Sequence, residues 1–169
     1  MHELRECIAD VYAEVDAAVA AAGPRCDASG RCCRFEEYGH TLFISQFEAD
    51  ILLETAPPYS KPVSRAGCPF QIDNLCTARE ARPLGCRIYF CDPSYQERQV
   101  EITEAAIAKL KRLADEYGTG WRYAPLHIFL NESDRPCPPL SGSERGPGGE
   151  VPQMKIEPPT SSKMSLPLV

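Results

Sequence analysis

The sequence predicts a small single domain, mainly α, with a cysteine-rich, loop-dominated region and at most short strands. Three observations carry this expectation. Two long segments repeat apolar residues at helical spacing. Between them the apolar residues keep no period and turn residues recur. Seven of the nine cysteines fall in that same aperiodic stretch, between positions 26 and 91. A length of 169 residues leaves room for one domain and a tail.

The first helix is expected over residues 2–22. Leu4, Ile8, Val11, Tyr12, Val15 and Val19 recur at intervals of three and four and form one apolar stripe. Alanines fill much of the remainder and favour helix. Glu3, Glu6, Asp10, Glu14 and Asp16 give it an acidic outer face, and Gly23-Pro24 stops it. Cys7 lies near the stripe and reads as a small buried hydrophobe. Residues 25–40 read as loop. A short β-type run follows at Thr41–Ile44, and Ser45 with Glu48 forms a capping box for a helix through about Glu54. Phe47, Ile51 and Leu52 are its expected buried face, and Pro57-Pro58 ends it.

Residues 57–93 hold mixed turn signals, which suggests a region held together by ligands rather than by a large core. A second long helix is expected over 97–117, with Val100, Ile107, Leu110, Leu113 and Tyr117 as its apolar side. Trp121, Tyr123, Leu126, Ile128, Phe129 and Leu130 are expected to return to the core. Beyond Pro125 lie half of the sixteen prolines, with four glycines and no apolar period. The expected organisation is therefore an amphipathic helix over 1–23, a cysteine-cluster domain over 24–130, and a disordered Pro/Gly-rich tail over 131–169. Cys137 sits in that tail between two prolines and is left out of the candidate site.

Charge and compartment narrow the chemistry. A formal net charge of -6 argues against nucleic acid as a partner. The start, Met-His-Glu-Leu-Arg-Glu-Cys, has no basic-then-apolar pattern, so no secretory signal is expected. No stretch approaches the roughly 18 consecutive apolar residues of a membrane span. The expected compartment is the cytoplasm, where thiols stay reduced, and an odd number of cysteines cannot pair completely. Metal ligation is thereby favoured over disulfides. The candidate ligands are Cys26, Cys32, Cys33, Cys68, Cys76, Cys86 and Cys91.

Arg25, Arg31, Arg34, Arg79, Arg82 and Arg87 crowd these cysteines in an otherwise acidic chain. Guanidinium groups would offset the excess charge of several thiolates and lower thiol pKa values. Cys32 and Cys33 are adjacent, so in an extended segment their sulfurs would point to opposite faces. His40 and His127 stand in no ligand pair and read as solvated or core residues.

Cys26-x-x-Ser29-x-x-Cys32-Cys33 resembles the CxxCxxCC motif, with serine at the second cysteine position. Cys68-Pro-Phe, Cys76 and Arg82-Pro83-Leu-Gly-Cys86-Arg87-Ile-Tyr89-Phe-Cys91 resemble the rest of the same signature. The family is the YkgJ-like cysteine-cluster proteins, and the resemblance covers roughly residues 24–93. It implies a domain that chelates zinc or iron. A related cysteine cluster in flagellin lysine methyltransferases resembles an iron–sulfur site.

The spacing leaves zinc and iron, including a 4Fe-4S cluster, both open. The leading expectation is a metal-binding cysteine-cluster protein holding zinc or an iron–sulfur cluster through thiolates. The alternatives are a thiol-based redox protein working through Cys32/Cys33 or Cys86/Cys91, and a cluster-dependent enzyme related to those methyltransferases. In the enzyme, Arg82, Arg87 and Tyr89 would be the polar groups at the cofactor; packing and charge balance are their simpler roles. A protein partner could use the N-terminal helix or the tail. Whether the chain is an enzyme is left open. Ser29 reads as a turn residue before Gly30.

Overall fold

The computed structural model describes residues 2–134. Over them the chain is small and mainly helical, with only short strands. Helix α1 spans His2–Ala22 and buries Leu4, Ile8, Val11, Tyr12, Val15 and Val19, the stripe its spacing predicts. Gly23 closes it in the left-handed region, φ 62°, and donates its N–H to the Val19 carbonyl at 3.0 Å.

Strand β1 spans Phe43–Ser45, later in the chain than its apolar run suggests. Ser45 leaves the strand as N-cap of α2, Gln46–Thr55, with the expected capping box. The buried face of α2 is Phe47, Glu48, Ala49 and Leu52, while Ile51 is only half-buried. The capping-box residue Glu48 is therefore a charged member of a buried face expected to be apolar. A two-residue hairpin follows, β2 at Gln71–Ile72 and β3 at Leu75–Cys76. Its turn residues Asp73 and Asn74 have φ of 49° and 65°. Asp and Asn tolerate that region better than most residues, and a turn with two positive φ matches the twist of a hairpin. The five-residue helix α3, Leu84–Ile88, comes next.

Helix α4 spans Gln96–Glu116 and lies along α1. Its buried residues are Ile102, Ala106, Leu110 and Ala114, and Val100 is 54% exposed. The expected stripe is thus rotated toward the alanines. Small side chains on α4 let it approach α1 closely, so alanines serve as contact residues rather than helix filler. Strand β4, Tyr123–Pro125, pairs antiparallel with β1, with Phe43 opposite Pro125 and Ser45 opposite Tyr123. Helix α5, Leu126–Glu132, buries Leu126, Phe129 and Leu130, while Tyr123 stays 40% exposed.

Two apolar cores result. One joins α1, α4, Phe47, Leu84, Ile88 and Tyr95. The other joins Phe35, Leu42, Ile44, Leu52, Tyr59, Val63, Phe70, Ala78 and Ala81 to α5. Cys68, Cys76 and Cys86 pack against this second core. The region expected to be held by ligands rather than by a large core thus has an apolar core of its own. Its apolar residues come from many short segments, which leaves no period to read. The domain also extends past residue 130. Asn131 accepts the Val63 N–H through Oδ1 at 2.7 Å and donates Nδ2 to the Val63 carbonyl at 2.9 Å. The rest of the expected tail from residue 135, with Cys137, lies outside the described residues. Among the described residues no helix is long and apolar enough to cross a membrane.

Candidate functional site

Backbone contacts bring the cysteine segments together. Gly30 turns the chain with φ 71° and leads into a 3₁₀ turn at Arg31–Cys33. A Cβ on Gly30 would fall 2.3 Å from Gln71 Nε2 and 3.0 Å from Asn74 Cα. The loop thus seats directly on the β2–β3 hairpin, and Gln71 Nε2 donates to the Gly30 carbonyl at 2.8 Å. Arg34 donates to the Ser29 carbonyl and to Asn74 Oδ1 at 3.0 and 2.7 Å. The Cys68 N–H donates to the Cys33 carbonyl at 2.9 Å, laying the two cysteine loops side by side. A Cβ on Gly67 would meet that same carbonyl at 3.0 Å. The hairpin then places Cys76 opposite Gln71, and α3 carries Cys86.

The vicinal pair is not extended. Its 3₁₀ turn holds the sulfurs of Cys32 and Cys33 on one side, 3.9 Å apart. The hydrogen bond to Cys33, followed by burial, pushes the Cys32 thiol well up. The same bond pulls Cys33 down, but a hydrogen bond with Cys68, burial, and the proximity of Cys68 and Cys76 push it up to about 12. Cys86 is pushed up by burial first and then by Cys33, Cys76 and Cys32. Cys32, Cys33, Cys68, Cys76 and Cys86 therefore act on one another across four chain segments. Comparison with protein-family models, curated proteins and solved structures finds no match to this chain.

The remaining candidates divide. Cys91 adjoins the group through Tyr89, whose hydroxyl is hydrogen-bonded to Cys91 and is shifted up by burial and by Cys91 and Cys32. Cys26 is exposed, as is Cys32. Its neighbour Arg25 donates its backbone N–H to Asp92 Oδ2 at 3.0 Å. Cys7 lies 3.6 Å from the Tyr117 hydroxyl on another part of the molecule. Among the described residues no group of three or more His, Cys, Asp and Glu side chains already stands at metal-ligating geometry.

The arginines do not form one shell. Arg82 lowers both Cys32 and Cys86, yet burial and thiol–thiol contacts outweigh it. The expected lowering of these thiols is reversed for that reason. Arg87 turns away toward α1. It pairs with Asp16 at 2.7 Å, stands 4.4 Å over the Tyr12 ring, and donates Nε to the Arg82 carbonyl at 2.9 Å. These contacts direct its guanidinium to α1 and to the Arg82 backbone.

Two residues were missed as parts of this site. Glu48, 2% exposed, accepts the Tyr12 hydroxyl at 3.0 Å and the Leu84 N–H at 2.8 Å through Oε1. Its Oε2 accepts the Ser45 N–H and hydroxyl at 2.8 and 2.7 Å. A buried carboxylate with four donors is well satisfied, and it ties the start of α3, and so Cys86, to α1 and α2. The capping-box spacing shows only the Ser45 half of this. His40 stacks on Tyr89 with ring centroids 4.6 Å apart, and its Nε2 lies 3.3 Å from the Cys32 carbonyl. No ligand spacing in the sequence marks it.

Proposed function

We propose that this chain is a metal-binding protein of the YkgJ-like cysteine-cluster kind, holding zinc or an iron–sulfur cluster through thiolates. The carrying observation is the approach of Cys32, Cys33, Cys68, Cys76 and Cys86 from four separate segments: the vicinal sulfurs 3.9 Å apart, the Cys68 N–H on the Cys33 carbonyl, and Cys68, Cys76 and Cys86 against one core. The chemistry of that donor set fits soft or borderline metals. The 3.9 Å between Cys32 and Cys33 sulfurs is close to the ~3.8 Å edge of a tetrahedron with Zn–S bonds of about 2.3 Å. Among the described residues the wider set does not stand at ligating geometry, so binding would draw the other sulfurs inward. A bound ion would supply charge to hold thiolates at neutral pH; the chain's part is to gather the sulfurs, exclude water and release their protons.

Redox chemistry through Cys32 and Cys33 has less support. The attacking species in thiol exchange is the thiolate, and both thiols are shifted toward the neutral form. The test is anaerobic purification, metal analysis and a visible spectrum. Brown protein with iron and acid-labile sulfide selects the cluster, and colourless protein with stoichiometric zinc selects the mononuclear site. Protein that retains neither, and takes up neither on reconstitution, overturns the reading. Cys33→Ser and Cys86→Ser should each abolish retention, whereas Cys26→Ser should leave the metal content unchanged.

A further inference from the structure

We propose that His40 is a nitrogen donor to the metal, through Nδ1, beside the thiolates. This rests on the thiolate-site reading above. The Nε2 of His40 lies 3.3 Å from the Cys32 carbonyl oxygen. A carbonyl can only accept, so Nε2 carries the hydrogen and donates it. In the neutral ring Nδ1 is then a bare lone pair. That atom is buried and has no hydrogen-bond partner among the described residues. Buried acceptors are ordinarily satisfied, so this one calls for a partner that the described residues do not supply.

The ring is held in place. Tyr89 lies parallel to it at 4.6 Å and 17°, and Phe35 meets it edge-on at 5.4 Å. Metal-ligating histidines characteristically donate their other N–H to a carbonyl or carboxylate, which fixes tautomer and ring direction. Here the carbonyl belongs to Cys32, one of the gathered cysteines, and the stacking partner Tyr89 reaches Cys91. Charge balance points the same way. Exchanging one thiolate for an imidazole removes one negative charge from the centre. A set of three cysteines and one histidine is an established zinc arrangement. Cys33 is buried, and a less negative centre costs less there.

The experiment loads the full nitrogen-labelled chain with a spin-active cadmium isotope, a stand-in for zinc, and records the histidine ring nitrogens. Cadmium coupling at His40 Nδ1, with Nε2 protonated, is the expected result. Cadmium affinity by chelator competition should fall in His40→Gln and His40→Ala by at least the ~10- to 100-fold typical of losing even an outer contact. Cadmium bound without coupling at Nδ1, and with unchanged affinity in His40→Gln, overturns the role of His40 and leaves the thiolate reading standing. A wild-type chain that takes up no cadmium overturns both. The coupling is read in the wild-type chain, so it decides the matter even where a variant folds poorly.

Discussion

Glu48 commits both carboxylate oxygens to four donors, two of which lie 36 residues away in opposite directions along the chain. Hydrogen bonds to a charged group contribute about 1.5–3 kcal/mol each, and a stranded donor adds its own cost. Glu48→Ala should therefore lower stability by about 3 kcal/mol or more, measured by urea unfolding. Tyr12→Phe removes one of these bonds and should cost about 1–2 kcal/mol. Tyr12 also carries a pH signature. Burial, then the charge and hydrogen bond of Glu48, hold its folded pKa well above the ordinary 10.0. A raised folded pKa gives stability that is complete below pH 10.0 and lost as pH rises beyond it toward the folded value. Wild type should thus lose stability with a steeper slope above that pH than Tyr12→Phe does. The Ser45-x-x-Glu48 spacing shows the local pair; nothing local shows Tyr12 or Leu84, because tertiary partners leave no mark on a capping motif.

Among the elements, α4 and the Gly30 loop invite the sharpest tests. Ala106 is 3% exposed against α1, and Val100 is 54% exposed. Ala106→Leu should cost about 1–3 kcal/mol through overpacking, while Val100→Ala should stay within about 0.5 kcal/mol. Thermal unfolding of the pair separates the observed face of α4 from the one its large residues suggest. Gly30 has positive φ and no room for a Cβ against the Asn74 backbone. Gly30→Ala should destabilise by more than about 1 kcal/mol and weaken metal retention, since it lifts the Cys32–Cys33 turn from the hairpin. The two long helices were legible because a stripe over several turns is a strong signal. The hairpin, α3 and α5 were not, since two to seven residues give no period.

Over the whole described molecule, two apolar cores flank the cysteines. The density of cysteines was plain in the sequence, and so was their concentration in one region. Their grouping was not: Cys26 and Cys33 share a motif, yet one is exposed and the other buried. Position along a loop does not reveal which way it folds back. Because the second core spans residues from Phe35 to Leu130, metal removal should leave α1, α4 and α5 protected from hydrogen exchange. Protection should fall in residues 30–34, 66–77 and 84–91. Loss of protection throughout the domain on chelation would show that metal, not the cores, holds it together.

The bond from the Leu84 N–H to Glu48 makes the seat of one cysteine depend on distant helices. Cys86 stands on α3, and the start of α3 is held by a carboxylate that also binds Tyr12 of α1 and Ser45 at the head of α2. Cys32 and Cys33, by contrast, are chain neighbours held by their own 3₁₀ turn. A change that loosens Glu48 is therefore felt at Cys86 and not at the vicinal pair, although none of the four groups on that carboxylate is a cysteine.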